Sequence, residues 1–261
     1  MKILVVNPNT TESMTEEIGI SARRCAQPGT VIDAVTAEWG PRSIEGHFEE
    51  VLAAAATVQL VARHKNDYDA FVIACYGDPG LYAAKEVTEH PVIGIGEAST
   101  LLACMLAHRF SVITVIARIV PMLTDMIGRY GLSERCASVR SSGMTVLEIE
   151  NDPSRAAREI VRAARLAIEQ DGAEAITLGC AGMGSIERRV AEQLTDVPVI
   201  DGVVAAVKAA EALVGAGLST SKACAFATPE AKEIVGLDPQ IDYSHAESGA
   251  STSRLGVAGS G

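Results

Sequence analysis

Asp69-Ala70-Phe71-Val72-Ile73-Ala74-Cys75 and Glu174-Ala175-Ile176-Thr177-Leu178-Gly179-Cys180 each run from an acid through five mostly apolar or small residues to a cysteine. The correspondence extends beyond the cysteines. Both copies continue through a glycine-containing turn (Gly77-Asp78-Pro79-Gly80; Gly182-Met183-Gly184), a helical stretch and a Pro-Val-Ile strand (Pro91-Val92-Ile93-Gly94; Pro198-Val199-Ile200-Asp201). Strand, cysteine, turn, helix and strand recurring in order predict two similar α/β lobes. Asn9 and Thr114 each stand 66 residues before their cysteine, which makes Asn9 in one half the counterpart of Thr114 in the other.

Outward from the repeat, short Val- and Ile-rich runs alternate with stretches of helical period, the pattern of an α/β fold. Strands are expected at 3–6, 31–35, 70–75, 92–95, 110–116, 175–180 and 199–201. Met14, Ile18 and Ala22 give the segment after the first strand a helical spacing. Further helices are expected over about 45–64, 80–89, 97–107, 120–130, 153–170, 184–194 and 202–215, with Asp152-Pro153 as an N-cap and first-turn proline. The fold class is two Rossmann-like lobes, each a doubly wound and mainly parallel sheet, related by a pseudo-two-fold axis with the ligand crevice between them. Residues 239–261 are rich in Ser, Ala and Gly with few large apolar side chains, and read as a flexible low-complexity tail.

The chain has 261 residues, 33 acidic against 22 basic side chains and a net charge of −11. That leaves no basic surplus for a phosphate backbone or an anionic membrane, so the expected partners are small molecules or copies of itself. No apolar run approaches the roughly 20 residues of a membrane span. The apolar run at residues 3–6 is too short for a signal peptide, so a cytoplasmic location is expected. The six cysteines, at 25, 75, 104, 136, 180 and 224, form no C-x-x-C pair and no ligand cluster, so neither structural zinc nor a disulfide framework is indicated. Gly94-Ile95-Gly96 lacks a third glycine and is a weak dinucleotide signal. A P-loop is absent, and no lysine stands in a setting that suggests a pyridoxal phosphate Schiff base. Cofactor-independent chemistry is therefore expected.

Ligands of parallel sheets bind at the C-terminal ends of the strands, where Cys75 and Cys180 both fall. Each stands just before an expected helix, whose N-terminus favours negative charge and lowers a thiol pKa. At the reference pKa a thiol is only ~3% thiolate at pH 7, so a cysteine base gains from that placement. Two one-proton groups facing opposite sides of a carbon suit inversion, one thiolate removing a proton and the opposite thiol delivering another. Backbone N–H groups of the Gly77-Asp78 and Ala181-Gly182 turns are the expected donors to the developing oxyanion. Cys25, Cys104, Cys136 and Cys224 lack repeat partners and read as packing residues. His47, in the turn Gly40-Pro41-Arg42-Ser43-Ile44-Glu45-Gly46-His47, is the one histidine placed to reach the crevice.

Asn7-Pro8-Asn9-Thr10, Gly40-Pro41 with Ser43-Ile44-Glu45-Gly46, Ala74-Cys75-Tyr76-Gly77-Asp78-Pro79-Gly80-Leu81 and Leu178-Gly179-Cys180-Ala181-Gly182-Met183 closely resemble the hydantoin racemase and allantoin racemase family of the aspartate/glutamate racemase superfamily. The resemblance covers about residues 1–235. It implies a pseudo-symmetric enzyme, independent of metal and pyridoxal phosphate, that racemises the C5 centre of a cyclic ureide with Cys75 and Cys180 as the acid/base pair. It further implies substrate contacts from Asn9, Ser43, Ile44, Gly77, Thr114, Val115 and Gly182, with Tyr76, Asp78 and Ala181 beside them in the same motifs. The first lobe would comprise 1–96 and 205–238 and the second 97–204, in a homo-oligomer. Tyr76 stands where the family more often has phenylalanine, which would add a hydroxyl near the site. Racemisation of 5-monosubstituted hydantoins is the leading expectation and allantoin racemisation the near alternative. An amino-acid racemase, a maleate isomerase and a non-catalytic binding protein are further alternatives; an arylmalonate decarboxylase needs only one cysteine.

Overall fold

The computed structural model describes residues 1–230 and residue 232, and in it the two repeats form two four-stranded parallel sheets. In the first sheet, β1 (Lys2–Asn7), β2 (Val31–Thr36), β3 (Ala70–Ile73) and β4 (Val92–Gly94) lie in the order β2-β1-β3-β4. In the second, β5 (Phe110–Thr114), β6 (Cys136–Ser141), β7 (Ala175–Leu178) and β8 (Val199–Ile200) repeat that order as β6-β5-β7-β8. The central strands are buried along almost their whole length, as parallel strands covered on both faces must be. The tail expected at 239–261, and the end of the first lobe at 238, lie outside the described residues.

Nine helices occur among the described residues: α1 (Glu12–Cys25), α2 (His47–His64), α3 (Leu81–Val87), α4 (Ile95–Leu106), α5 (Val120–Arg129), α6 (Val146–Asn151), α7 (Pro153–Asp171), α8 (Glu187–Ala191) and α9 (Gly202–Gly215). α7 starts as expected, with the Asp152 carboxylate accepting from Arg155 N at 2.9 Å and Pro153 at its first position, and Gly172 ends it at φ 73°. α9 carries the chain back onto α1, α4 and the β3–β4 side of the first sheet. One continuous apolar cluster joins the inner faces of both sheets, from Ile3 and Val5 through Ile95 to Phe110 and Ile176. A second cluster, with Leu4, Phe71 and Leu60, fills the space between the first sheet and α2 and α3. Among the described residues no helix is long and apolar enough to cross a membrane.

Three sequence expectations change. β6 and α6 have no counterpart among the expected elements, because β6 is a half-buried edge strand of mixed polarity and α6 has only six residues. The helix expected at 184–194 opens instead as a 3₁₀ stretch, Ala181–Ile186, before the short α8. The repeat is also offset by two residues from the spacing argument. Val6 pairs with Ile73 as Ile113 pairs with Leu178, so the counterpart of Thr114 is Asn7. Their carbonyls do the same work, Asn7 O accepting from Ala37 N and Thr114 O from Ser142 N. Equal sequence distance points to Asn9 only because the β1-to-β3 connection is two residues longer than its counterpart.

Candidate active site

Each cysteine stands two residues beyond its strand, where the ladder has ended but the chain is still held by its neighbour: Ala74 N donates to Val6 O and Gly179 N to Ile113 O, both at 2.8 Å. The turns after the two cysteines match as well. Asp78 N donates to Cys75 O at 3.0 Å and Met183 N to Cys180 O at 3.1 Å. The Gly77 N–H is aimed at Cys75 Sγ and the Gly182 N–H at Cys180 Sγ. These two cysteines, one from the end of each sheet, line a single cavity. Asn9, Ile44, Tyr76, Gly77, Val115 and Ala181 line it too.

The turn N–H groups therefore differ from expectation. Those of Gly77, Asp78 and Gly182 are occupied by the sulfurs and by the Cys75 carbonyl, so they serve the cysteines rather than stand free for a substrate oxyanion. The expected acidification of the thiols is also overturned. Burial, the largest influence, pushes Cys75 far above the usual thiol range, and the neighbouring Cys180, Asp78 and Glu50 add to it. Burial likewise pushes Cys180 up to about 11, with Glu45 adding to it. The glycine N–H groups pull the other way and lose. No long helix begins at either sulfur: a turn separates Cys75 from α3, and Cys180 opens only a 3₁₀ stretch.

Asn9 has one free edge. Its Oδ1 accepts from Asn7 Nδ2 at 3.0 Å and Thr11 N at 2.9 Å, which leaves Nδ2 with only the thioether of Met14, at 3.2 Å. Its side chain thus offers the cavity a donor. The remaining expected residues are dispersed. Ser43 is not in the cavity wall, although its loop is tied down by Thr10 N to Pro41 O and Thr11 Oγ1 to Arg42 O. Thr114 is fully buried behind the wall and donates to Gly179 O at 3.3 Å, and Gly182 is also outside the wall. The Tyr76 hydroxyl turns away from the cavity to Thr177 Oγ1 at 2.6 Å, a bond between the two sheets, so it adds no polar group to the site. Asp78 is likewise directed elsewhere, its carboxylate taking Gly96 N, Glu97 N and the Tyr130 hydroxyl.

Met14, Ile119 and Val146 complete the wall, and the sequence motifs include none of them. Met14 carries no signal beyond the apolar face of α1, and Val146 begins the unexpected α6. His47 is exposed and faces Glu50 at 3.4 Å instead of the cavity. Gly94-Ile95-Gly96 has a packing cause: a Cβ on Gly94 would lie 2.2 Å from Asp78 Cγ, and one on Gly96 2.3 Å from Tyr76 O. Cys25, Cys104 and Cys136 pack against the core as expected, but Cys224 is exposed on a short 3₁₀ turn with φ 64° and is no packing residue. Among the described residues no group of three His, Cys, Asp or Glu is placed to hold a metal ion.

Two thiols from opposite sheets, an amide donor and apolar walls can exchange a proton at a carbon acid whose carbonyl reaches Asn9. Comparisons with known proteins show the family. A family model described as Asp/Glu/hydantoin racemase matches residues 3–210. The chain is 47% identical over 237 residues to a hydantoin racemase of Pseudomonas sp. (strain NS671), covering 90% of this chain and 95% of that protein. It superposes on an allantoin racemase from Klebsiella pneumoniae with a TM-score of 0.88 at 41% identity, covering 93% of this chain and 99% of the other. For an allantoin racemase from Pseudomonas fluorescens the TM-score is 0.87 at 48% identity, with 90% and 100% covered.

Proposed function

The chain belongs to the Asp/Glu/hydantoin racemase family and is a racemase, and from that premise we propose that it racemises the C5 centre of 5-monosubstituted hydantoins with Cys75 and Cys180 as its two acid/base groups. The observation that carries this reading is the pair of thiol residues, at equivalent places of two repeats, in the wall of one cavity.

The thiolate of one cysteine takes the C5 proton, and the C–H electron pair moves onto the adjacent carbonyl oxygen to form an enolate. The other cysteine, as thiol, delivers its proton to the opposite face of C5 as that electron pair returns. The first cysteine ends as thiol and the second as thiolate, so the opposite enantiomer is processed with the roles exchanged. Asn9 Nδ2 donates to the oxyanion, and the Gly77 and Gly182 N–H groups steady whichever sulfur is charged. The chemistry requires neither metal nor pyridoxal phosphate. Ile44, Ile119 and Val146 favour an apolar C5 substituent, since a polar group buried among them would lose hydrogen bonds to water without replacement.

Allantoin is the second reading, supported by the two allantoin racemase structures. Its ureido substituent has several donors and acceptors, for which the apolar wall offers few partners. Incubating pure enantiomers of apolar-substituted hydantoins and of allantoin, and following optical rotation, tests both. Hydantoins should lose rotation fastest. Faster loss from allantoin would transfer the assignment to allantoin, and no loss from any substrate would refute both. Cys75→Ser and Cys180→Ser should each abolish racemisation, and normal turnover by either variant would refute the two-thiol account.

A further inference from the structure

The carboxylate of Asp78 is among the most completely bonded groups near the site, yet it faces away from the cavity that holds the thiols. Its Oδ1 accepts from Gly96 N at 3.0 Å, and its Oδ2 from Glu97 N at 2.7 Å and from the Tyr130 hydroxyl at 2.6 Å. The first two donors are at the start of α4, and the third comes from the end of α5, beyond β5 of the second sheet. Room for this carboxylate exists only because Gly94 and Gly96 lack side chains. Asp78 also holds a left-handed backbone, φ 49°, which a residue with a Cβ adopts at a cost and keeps only when its surroundings insist on it.

The second repeat arranges the same job differently. There the strand-end residue, Asp201, supplies the carboxylate, accepting from Val203 N at 2.7 Å at the start of α9. The glycine stands in the cysteine turn instead, since a Cβ on Gly184 would lie 2.7 Å from Asp201 Oδ2. The residue three beyond Cys180 is Met183, apolar and buried, where the first repeat has Asp78. Only the Cys75 turn therefore carries its own charged anchor, and Asp78 N donating to Cys75 O joins that anchor to the cysteine.

We propose that Asp78 is a positioning residue for Cys75: its carboxylate clips the Cys75 turn onto the first amides of α4, and Tyr130 locks the clip from the other lobe. The proposal rests on the reading of Cys75 as one of the two acid/base groups, and it makes the two cysteines unequal despite their matching places. The clip has a charged neighbourhood. Glu97, held by Lys85 at 2.7 Å, lies on α4; Glu50 on α2, Tyr82 on α3 and Arg129 and Tyr130 at the end of α5 line one hollow with Asp78, and Cys75 lies across the turn.

Tyr130→Phe removes one bond of the clip and little else, and Asp78→Asn removes its charge. Both loosen the turn that holds Cys75, so both should speed alkylation at Cys75. The experiment treats native protein and the two variants with iodoacetamide and follows Cys75 and Cys180 separately by peptide mass spectrometry. In parallel, kcat and KM are measured with the enantiomers of one hydantoin. The expected result is Cys75 alkylation accelerated at least about threefold with Cys180 unchanged, and kcat lowered about tenfold with KM nearly constant. Equal changes at the two cysteines, or none at Cys75, would overturn the proposal. If Asp78→Asn does not fold, Tyr130→Phe decides alone. Should the unaltered protein racemise nothing, the proposed function fails while the alkylation ratio still reports on the clip.

Discussion

At the scale of single residues, burial outweighs the local dipoles around the two thiols. Each sulfur receives a glycine N–H, yet both thiols are harder to ionise than a free cysteine because the cavity replaces water with apolar walls. With Cys180 pushed up to about 11, its thiolate is a small minority form at pH 7. The scarce thiolate is a correspondingly strong base, which suits a weakly acidic carbon. Below a raised thiol pKa the thiolate fraction grows tenfold per pH unit, so kcat/KM should climb steadily from pH 7 to pH 9. A rate profile flat across that range would mean that neither thiol is the base. The Haldane relation adds a check: because a racemisation equilibrium constant is one, kcat/KM must be equal for the two enantiomers at every pH. The sequence made these two cysteines legible through the repeat. It could not disclose their acidity, which depends on how much water the assembled cavity excludes.

At the scale of elements, the cavity exists because the two sheets are held in register with each other. Tyr76, directly after Cys75, bonds Thr177 on β7 at 2.6 Å, and both side chains are buried. Tyr76→Phe would strand the Thr177 hydroxyl and should cost about 1–3 kcal/mol. Denaturant unfolding measures that loss, and an unchanged midpoint would mean that the bond contributes nothing. The same element scale explains what the sequence hid. Strands β1, β3, β5 and β7 announced themselves as mostly apolar runs because both their faces are covered. β6 did not, since an edge strand with Arg140 bound to Asp171 at 2.6 Å needs no apolar run. α6 was too short to show a period, so Val146 stayed hidden although it lines the site. Glu45 fixes that helix by accepting from Val146 N at 2.8 Å, a contact between residues 101 positions apart.

At the scale of the whole molecule, buried carboxylates make stability depend on pH. Burial raises Asp78 to about 7 and raises Asp201 as well, against several hydrogen bonds that lower them. Between the unfolded carboxylate range and neutrality the folded chain keeps protons that the unfolded chain has released. These groups therefore favour the fold most below about pH 4, and their contribution declines as pH rises towards 7. Denaturant unfolding of Asp78→Asn should show a shallower loss of stability between pH 5 and pH 7 than the unaltered chain. Identical slopes would show that Asp78 does not titrate there.

What the sequence determined by itself was the repetition: two βαβ units, each with a cysteine just beyond the carboxyl end of its first strand, because strand burial and turn chemistry are written in neighbouring residues. It also contained the family motifs from Asn7 to Met183. The tertiary structure alone decided which residues share the cavity, since Met14, Ile119 and Val146 come from three separate elements. It also decided that Asn7 rather than Asn9 is the partner of Thr114, because register follows hydrogen bonds and not residue counts. The same holds for the Asp78 carboxylate and the Tyr76 hydroxyl, which the motifs placed near the substrate and the fold turns to other partners. A side chain's direction is fixed by what packs against it, and that is known only once the distant parts of the chain have met.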